Sequence, residues 1–355
     1  MPQSSNRFGP RWKSGIFAIS IIMLFSLWIG AYPQDTEEPT NQDRRKQTKP
    51  ILESTTPEEP SEEPKGFKIG VSVDLVLMYA TVVDANGQFV SGLKQEDFKI
   101  FEDGVRQSIN SFSQEDVPVS MGILLDLSLS MRKKIDQVNK AALAFIRAGN
   151  PQDQVFLIGF NETAELLQDF TGDIDEISDS LENAAVMGST AIYDAIYLGV
   201  QKAHTGSKPK KAIVVITDGE DRESFYSLGD LLAKVQESDV QVFFIGFLSE
   251  IPKKGLFGGW SKSVPEKARD ALQKISEETG GKAFFPSATT DLNKIVSEIA
   301  SELRSQYAIG YYSSNSERDG SFRRVKIEVA GSAAAKQQVR YRRGYFAPKA
   351  DISQK

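Results

Sequence analysis

From Val119 onward, short apolar segments alternate with amphipathic ones, and this alternation constrains the fold more than any other feature of the sequence. An apolar segment without a polar side is expected of a strand buried on both faces of a parallel sheet. The amphipathic segments repeat apolar residues at helical spacing, as Ile135, Val138, Ala142 and Phe145 do. Strands alternating with helices predict an α/β fold: a Rossmann-like, doubly wound, mainly parallel sheet covered on both faces. The apolar segments are 119–125, 154–160, 212–217 and 240–247.

The segments on either side of this alternation are strand-like throughout. Residues 71–83 (VSVDLVLMYATVV) are rich in β-branched and aromatic residues, and we assign 67–116 to a small β module. Strand-like patterning returns at 307–347, within a C-terminal segment of strands and tail at 306–355. We expect the two flanks to pack together as one platform beside the α/β domain, which spans 117–305.

The N-terminus has the features of an export signal. Residues 1–14 carry basic side chains and no acidic one, and an uncharged apolar run follows at 15–32. A membrane span needs about 20 apolar residues, whereas the apolar core of a signal peptide has about 7–15. The run is therefore either an uncleaved signal anchor or a cleaved signal peptide. Ile29 is poorly suited to a cleavage site after Ala31, which favours the anchor.

The positive-inside rule keeps the basic N-terminal region in the cytoplasm and exports the rest of the chain. We therefore expect the protein in the cell envelope. An uncleaved anchor at 15–32 makes it an inner-membrane protein whose folded part is periplasmic or extracytoplasmic, and cleavage makes it secreted. Residues 33–66 are rich in Pro, Glu, Thr and Gln with almost no large apolar residue, which predicts a disordered linker.

Composition excludes several kinds of site. The chain has no cysteine and one histidine, His204, so it has no disulfides, thiolate metal sites or cysteine nucleophiles. The net charge of −6 comes from 42 basic and 48 acidic residues. Proteins that bind nucleic acid usually present a concentrated basic surface, and we expect no nucleic acid partner here.

Polar side chains follow two of the buried strands, where the carboxyl ends of parallel strands form ligand sites. Asp126, Ser128 and Ser130 follow the first strand, and Asp218 follows the third. Thr190 opens a helix between them. All five side chains offer oxygen, which indicates a site for a hard divalent ion, Mg²⁺ above all. Mg²⁺ usually keeps an open position, which suits a carboxylate from a partner.

This pattern resembles the von Willebrand factor type A (VWFA) domain and its metal-ion-dependent adhesion site, with the signature Asp-x-Ser-x-Ser, then Thr, then Asp. The resemblance covers about 117–305 and implies the VWA fold, Mg²⁺ or Mn²⁺ binding and adhesion to a protein partner through an acidic side chain. By position it implies that Ser128, Ser130 and Thr190 are hydroxyl ligands. It implies that Asp126 and Asp218 are the carboxylates.

Most of the chain after residue 67 is also similar to a bacterial VWFA-related family of the acidobacterial type. The segments that carry this similarity are LKQEDFKIFEDG, TGGKAFFP, QYAIGYYSS and RRGYFAP. The sequence departs from the usual pattern at Leu127 and Leu129, where the family commonly has small residues. Leu129 would strain the loop if its backbone required a positive φ, which would weaken metal binding.

Two alternatives remain open beside adhesion. The first is an envelope scaffold whose metal is purely structural. The second is a metal-dependent hydrolase or phosphotransferase, against which several residues argue. Asp126 as a phosphate acceptor would need a second Asp at position 128, which is Ser. A serine nucleophile needs a base, and His204 falls at the far end of the helix that begins after Thr190. We therefore expect a protein that is not an enzyme.

Two further loops are expected at the edge of the sheet that carries the site. One is the insert at 249–265, whose apolar residues make it a candidate contact surface for the partner. The other is an acidic loop, which we interpret as solvated. The residues concerned are Leu256, Phe257 and Trp260 in the insert, and Glu220, Asp221 and Glu223 in the acidic loop.

Overall fold

The computed structural model describes residues 74–248, 263–287, 292–330 and 337–350. None of the helices in these ranges combines the length and the apolar character that a bilayer span requires. The predicted n-region, anchor and linker at 1–66 lie outside the described residues, as does the insert from 249 to 262.

The described residues form strands and helices in the following chain order. The strands are β1 (Leu75–Val83), β2 (Phe98–Glu102), β3 (Val105–Gln107), β4 (Ile109–Ser113), β5 (Val119–Asp126), β6 (Gln154–Phe160), β7 (Ala164–Thr171), β8 (Lys210–Thr217), β9 (Gln241–Gly246), β10 (Ala283–Phe284), β11 (Tyr307–Tyr312), β12 (Phe322–Val329), β13 (Gln338–Arg340) and β14 (Gly344–Phe346). The helices are α1 (Ile135–Arg147), α2 (Ile174–Glu182), α3 (Ile192–His204), α4 (Leu228–Gln236), α5 (Val264–Thr279) and α6 (Leu292–Arg304).

Six strands form the central sheet in the order β10-β9-β8-β5-β6-β7, and all neighbours are parallel except β7. Apolar residues from α1, α2 and α6 join the core on one face, and those from α3, α4 and α5 join it on the other. Every residue of β5 is buried, as expected of a strand inside such a sheet. The predicted doubly wound, mainly parallel α/β fold is confirmed.

The flanking segments form two four-stranded sheets, β13-β1-β11-β4 and β14-β12-β2-β3. Strand β1 pairs with β11 over six residues, from Leu75 opposite Tyr312 to Ala80 opposite Tyr307. The two sheets share one buried core that includes Met78, Ile100, Tyr311 and Ile327. The N-terminal and C-terminal flanks therefore do form one β module, as predicted, and each sheet takes strands from both.

The α/β part is inserted into this module between β4 and β11. These two strands are neighbours, and Ser113 pairs with Ala308. At the junction, the Arg304 guanidinium lies 2.8 Å from the Asp116 carboxylate, and Lys210 Nζ donates to the Leu303 carbonyl at 2.6 Å. Polar contacts thus fix the end of α6 where the chain re-enters the module.

Two helices begin at residues that differ from the prediction. Periodicity predicts a helix from Met131, but Leu129–Lys133 forms a 3₁₀ turn and α1 begins at Ile135. Helix α5 begins at Val264, so the last residues of the predicted insert belong to that helix. The reason is a capping box in which Ser263 and Glu266 satisfy each other's backbone N–H groups.

Candidate functional site

The site is organised around Asp126, the last residue of β5, whose side chain is fully buried. One carboxylate oxygen, Oδ1, accepts the Ser128 backbone N–H at 2.9 Å. The other, Oδ2, accepts the Thr217 hydroxyl at 2.6 Å. Thr217 is the last residue of the adjacent strand β8, so the pairing of β5 with β8 fixes the carboxylate at the sheet edge.

A chain of oxygen atoms continues from Ser128 to Asp218. The Ser128 and Ser130 hydroxyl oxygens lie 3.0 Å apart. The Ser130 hydroxyl donates to Asp218 Oδ1 at 2.7 Å. Ser128 and Ser130 follow β5 and Asp218 follows β8, so the two neighbouring strands bring these side chains together.

Thr190 reaches the same place from a third loop. It is buried, and its carbonyl accepts the Arg222 N–H at 2.9 Å, which ties it to the loop after Asp218. A Cβ atom added to Gly219 would lie 3.2 Å from Thr190 Oγ1 and 3.7 Å from Asp126 Oδ2. Thr190 and Asp126 therefore both face the backbone of Gly219, and the structure brings all five predicted site residues together.

Burial raises the pKa of Asp126, although hydrogen bonds from Ser128 and Thr217 oppose the shift. The nearby Asp218 carboxylate also raises it. Two carboxylates in a desolvated site repel each other unless a positive charge lies between or beside them. A positive charge near the two carboxylates would therefore offset their repulsion.

The donor set fits a hard divalent ion. It consists of two carboxylates and three hydroxyls, and it offers no sulfur or nitrogen, as Mg²⁺ prefers. The described residues contain no group of three or more His, Cys, Asp or Glu side chains arranged to hold a metal. Any metal held here would therefore depend on the hydroxyls of Ser128, Ser130 and Thr190 as well as on the two carboxylates.

A lysine that the sequence did not single out contacts this donor set. Lys134 Nζ lies 2.5 Å from Asp218 Oδ2. Lys134 is the last of three consecutive basic residues after Ser130 and Met131, and such a run usually lies in solvent. Because periodicity places the helix start at Met131, the sequence alone gives no signal that singles out Lys134; the structure shows that it lies just before α1.

The two leucines of the loop cause no strain. Among the described residues, Asp103 is the one non-glycine with a positive φ, so the backbone at Leu129 does not meet the condition under which a leucine would be strained. Leu127 packs into the core beside Gly159, where an added Cβ would lie 2.6 Å from Leu127 Cδ1. The missing side chain of Gly159 makes the room that the bulkier Leu127 needs.

The acidic loop serves to hold the start of α3 in place. Asp221 Oδ1 accepts the Ile192 N–H at 3.1 Å, and the Asp194 carboxylate accepts the Tyr226 N–H at 3.0 Å in return. Asp221 is half-buried, so our interpretation of it as a solvated acid is wrong. These contacts fix the helix start that directly follows Thr190.

No histidine accompanies the serines of the site. His204, the single histidine of the sequence, is the last residue of α3, at the opposite end of that helix from Thr190. Its ring is largely exposed and lies 3.8 Å from the Asp239 carboxylate. Ser128 and Ser130 thus lack the histidine base of a Ser–His hydrolase.

Comparison with known proteins gives one family model, that of the von Willebrand factor type A domain, which matches residues 121–220. No curated protein matches the chain. The fold is similar to that of an aerotolerance-related membrane protein from Bacteroides fragilis, with 23% identity, 52% of this chain and 98% of that chain covered, and a TM-score of 0.41.

Two other solved structures show a similar likeness. A von Willebrand factor type A protein from Catenulispora acidiphila is 12% identical, with 79% of this chain and 75% of that chain covered and a TM-score of 0.44. The PilB minor pilin from Streptococcus sanguinis is 17% identical, with 54% and 63% covered and a TM-score of 0.40. The family match begins inside β5 and ends just after Asp218, so it includes all five oxygen-bearing side chains. The chain therefore contains a von Willebrand factor type A domain, matched over residues 121–220.

Proposed function

We propose that this protein is a non-enzymatic binding protein that holds Mg²⁺ or Mn²⁺ and, through it, an acidic group on a protein partner. The convergence of Asp126, Ser128, Ser130, Thr190 and Asp218 at one sheet edge carries this proposal. A divalent ion bound there would supply an electrophilic position for a carboxylate oxygen. The protein's own part is to hold five oxygens in place through the β5–β8 pairing and the anchored start of α3.

The surface beside the site supports a protein partner. Leu129 lies between the two serines and is 53% exposed, and Met187 in the adjacent loop is 54% exposed. The two loops are joined by hydrogen bonds from Met187 N–H to the Leu127 carbonyl, at 2.8 Å, and from Leu129 N–H to the Gly188 carbonyl, at 3.3 Å. An apolar pair at the rim of a polar site is the kind of feature that protein contacts bury.

The proposal also includes where in the cell the protein acts. We propose that 15–32 tethers the chain to the inner membrane, or directs its secretion if it is cleaved, and that 33–66 acts as a spacer. The folded part would then meet its partner outside the cytoplasm. The charge pattern at 1–32 supports this orientation.

The decisive experiment is a calorimetric titration of the full-length protein with Mn²⁺, followed by capture of envelope proteins with and without chelator. We expect Mn²⁺ uptake and chelator-sensitive capture by the wild type, and loss of both in Ser130→Ala. Ser189→Ala is the matched control, since it removes a hydroxyl from the loop of Thr190 without touching a proposed ligand. Absence of Mn²⁺ uptake by the wild type would refute the metal site.

The same experiment separates the alternatives. A melting temperature that rises with metal, without any chelator-sensitive capture of envelope proteins, would favour a scaffold with a structural metal. Turnover in a broad substrate screen that disappears in Ser130→Ala but persists in Ser189→Ala would favour a metal-dependent hydrolase or phosphotransferase.

A further inference from the structure

Lys134 lies at a position where local preferences oppose a lysine. It is the residue just before α1, and its side chain makes no capping hydrogen bond. Helix N-caps favour Ser, Thr, Asp and Asn, and the positive end of the helix dipole disfavours a nearby cation. A residue that goes against both preferences needs another role to explain it.

The backbone fixes Lys134 from both sides. Its N–H donates to the Met131 carbonyl at 2.7 Å, which closes the 3₁₀ turn, and its carbonyl accepts the Val138 N–H at 2.9 Å in the first turn of α1. The start of the side chain is therefore held next to the metal-site loop. The ammonium group needs only its own flexible stem to reach that loop.

The ammonium group of Lys134 contacts Asp218 on the carboxylate oxygen that does not accept the Ser130 hydroxyl. Lys134 Nζ lies 2.5 Å from Asp218 Oδ2, while Asp218 Oδ1 accepts the Ser130 hydroxyl. The Asp218 side chain is 5% exposed and that of Lys134 is 38% exposed. A carboxylate this poorly hydrated depends on its charged partner.

We propose that Lys134 is a built-in competitor of the divalent ion for Asp218 and thereby sets the metal affinity of the site. This inference rests on the proposed function, because it concerns the same site. An ammonium group and a divalent ion at one carboxylate repel each other in a partly desolvated site. Metal binding therefore requires the Lys134–Asp218 pair to open. In return, the pair balances charge in the two-carboxylate site when no metal is bound.

The test measures the affinity of the full-length protein for Mn²⁺ and its melting temperature in chelator. The informative variant is Lys134→Met, which keeps the length of the side chain and removes its charge. Lys134→Arg keeps the charge. Lys133→Met is the matched control, since it removes an exposed charge from the neighbouring residue, for which no contact with Asp218 is found.

We expect Lys134→Met to bind Mn²⁺ at least about tenfold more tightly than the wild type, in the range that changes beside metal ligands produce. We also expect it to melt at a lower temperature in chelator and to gain more from added Mn²⁺. Lys134→Arg and Lys133→Met should stay close to the wild type on both measures. If Lys134→Met does not fold, Lys134→Gln replaces it, because its amide can still donate to Asp218.

The outcomes distinguish this inference from the proposed function. Equal or weaker Mn²⁺ binding by the neutral variant, with normal binding by the wild type, would overturn the competition alone. Uptake by the neutral variant with none by the wild type would support the strongest form of the inference. No uptake by any of the four proteins would overturn the metal site and the competition together.

Discussion

The Thr217 hydroxyl donates to the buried Asp126 carboxylate at 2.6 Å and accepts the Gly219 N–H at 3.1 Å. One hydroxyl at the end of β8 thus holds both the first carboxylate of the site and the loop that carries the second. We expect Thr217→Val to lower the free energy of unfolding by about 2 kcal/mol, because it leaves a buried charged acceptor without this donor.

Urea unfolding of wild type and Thr217→Val checks that expectation, and Thr217→Ser is its control. The serine keeps the hydroxyl and loses only a methyl group, so its loss should be smaller than that of the valine variant. A valine variant as stable as the serine variant would mean that the hydrogen bond contributes little.

The contact between Gly159 and Leu127 predicts a coupled pair of mutations. A Cβ on Gly159 would lie 2.6 Å from Leu127 Cδ1 and 2.7 Å from Leu167 Cδ1. Gly159→Ala should therefore destabilise the protein by about 1–3 kcal/mol through overpacking. Leu127→Ala should cost about 2–5 kcal/mol through the cavity it leaves.

The double variant should lose less stability than the sum of the two single losses, since the alanine methyl at 159 enters space that Leu127 gives up. A thermodynamic cycle from denaturant unfolding measures this difference. If the two losses of stability simply add, the overpacking in Gly159→Ala comes from Leu167 and not from Leu127.

Lys210 predicts a rise of stability with pH. The side chain is buried, and burial lowers the pKa of Lys210 to about 8 from its ordinary 10.5. Between these values the unfolded chain binds a proton that the folded chain has released. The unfolding free energy therefore gains up to about 1.4 kcal/mol per pH unit as pH rises through this window, and the gain is lost again as pH falls toward 8.

The measurement compares wild type with Lys210→Met from pH 7 to pH 9.5, where the difference between the two unfolding free energies isolates this lysine. The range stops at pH 9.5 so that the tyrosines stay un-ionised. Burial raises the pKa of Tyr311 in the folded protein, so at higher pH this tyrosine would ionise in the unfolded chain and lower the free energy of unfolding. A difference that does not change with pH would contradict the prediction.

Glu302 and Arg340 form a buried ion pair that links α6 to β13. Arg340 Nη2 lies 2.6 Å from Glu302 Oε1, and the Glu302 side chain is fully buried. Burial raises the pKa of Glu302 even though Arg340 acts in the opposite direction. Arg340→Met should therefore destabilise the protein by about 3–5 kcal/mol, because it leaves the carboxylate buried without its partner.

The matched variant is Glu302→Leu combined with Arg340→Met, which replaces the whole pair by apolar side chains. It should be more stable than Arg340→Met alone, since no buried charge remains. Thermal unfolding of the single and double variants decides this. A double variant that is less stable than Arg340→Met would show that the pair itself stabilises the packing of α6 on the module.

The site residues were predictable because each of them depends on local sequence and on one general rule. Asp126 and Asp218 each follow an apolar strand, and parallel strands place their carboxyl ends at one edge. The order of the strands was not needed to expect a site there.

Thr217 and Lys134 were missed because their roles come from neighbours remote in sequence. Thr217 looks like the end of a β-branched strand, and its hydroxyl gains a role only because β8 lies beside β5 in this register. The pairing of β1 with β13, as in Thr81 opposite Arg340, could not be predicted from the sequence either. The pattern within a strand shows which face is buried but does not identify the partner strand.

The insertion of the α/β part between β4 and β11 has a consequence for how such a protein can be rebuilt. Its two attachment points are paired neighbours, Ser113 and Ala308, and are thus separated by about one strand spacing, roughly 5 Å. A short turn would close the β module without the insert, and another compact insert with adjacent ends would fit the same joint. The β module is thus joined to the α/β part by two adjacent backbone connections.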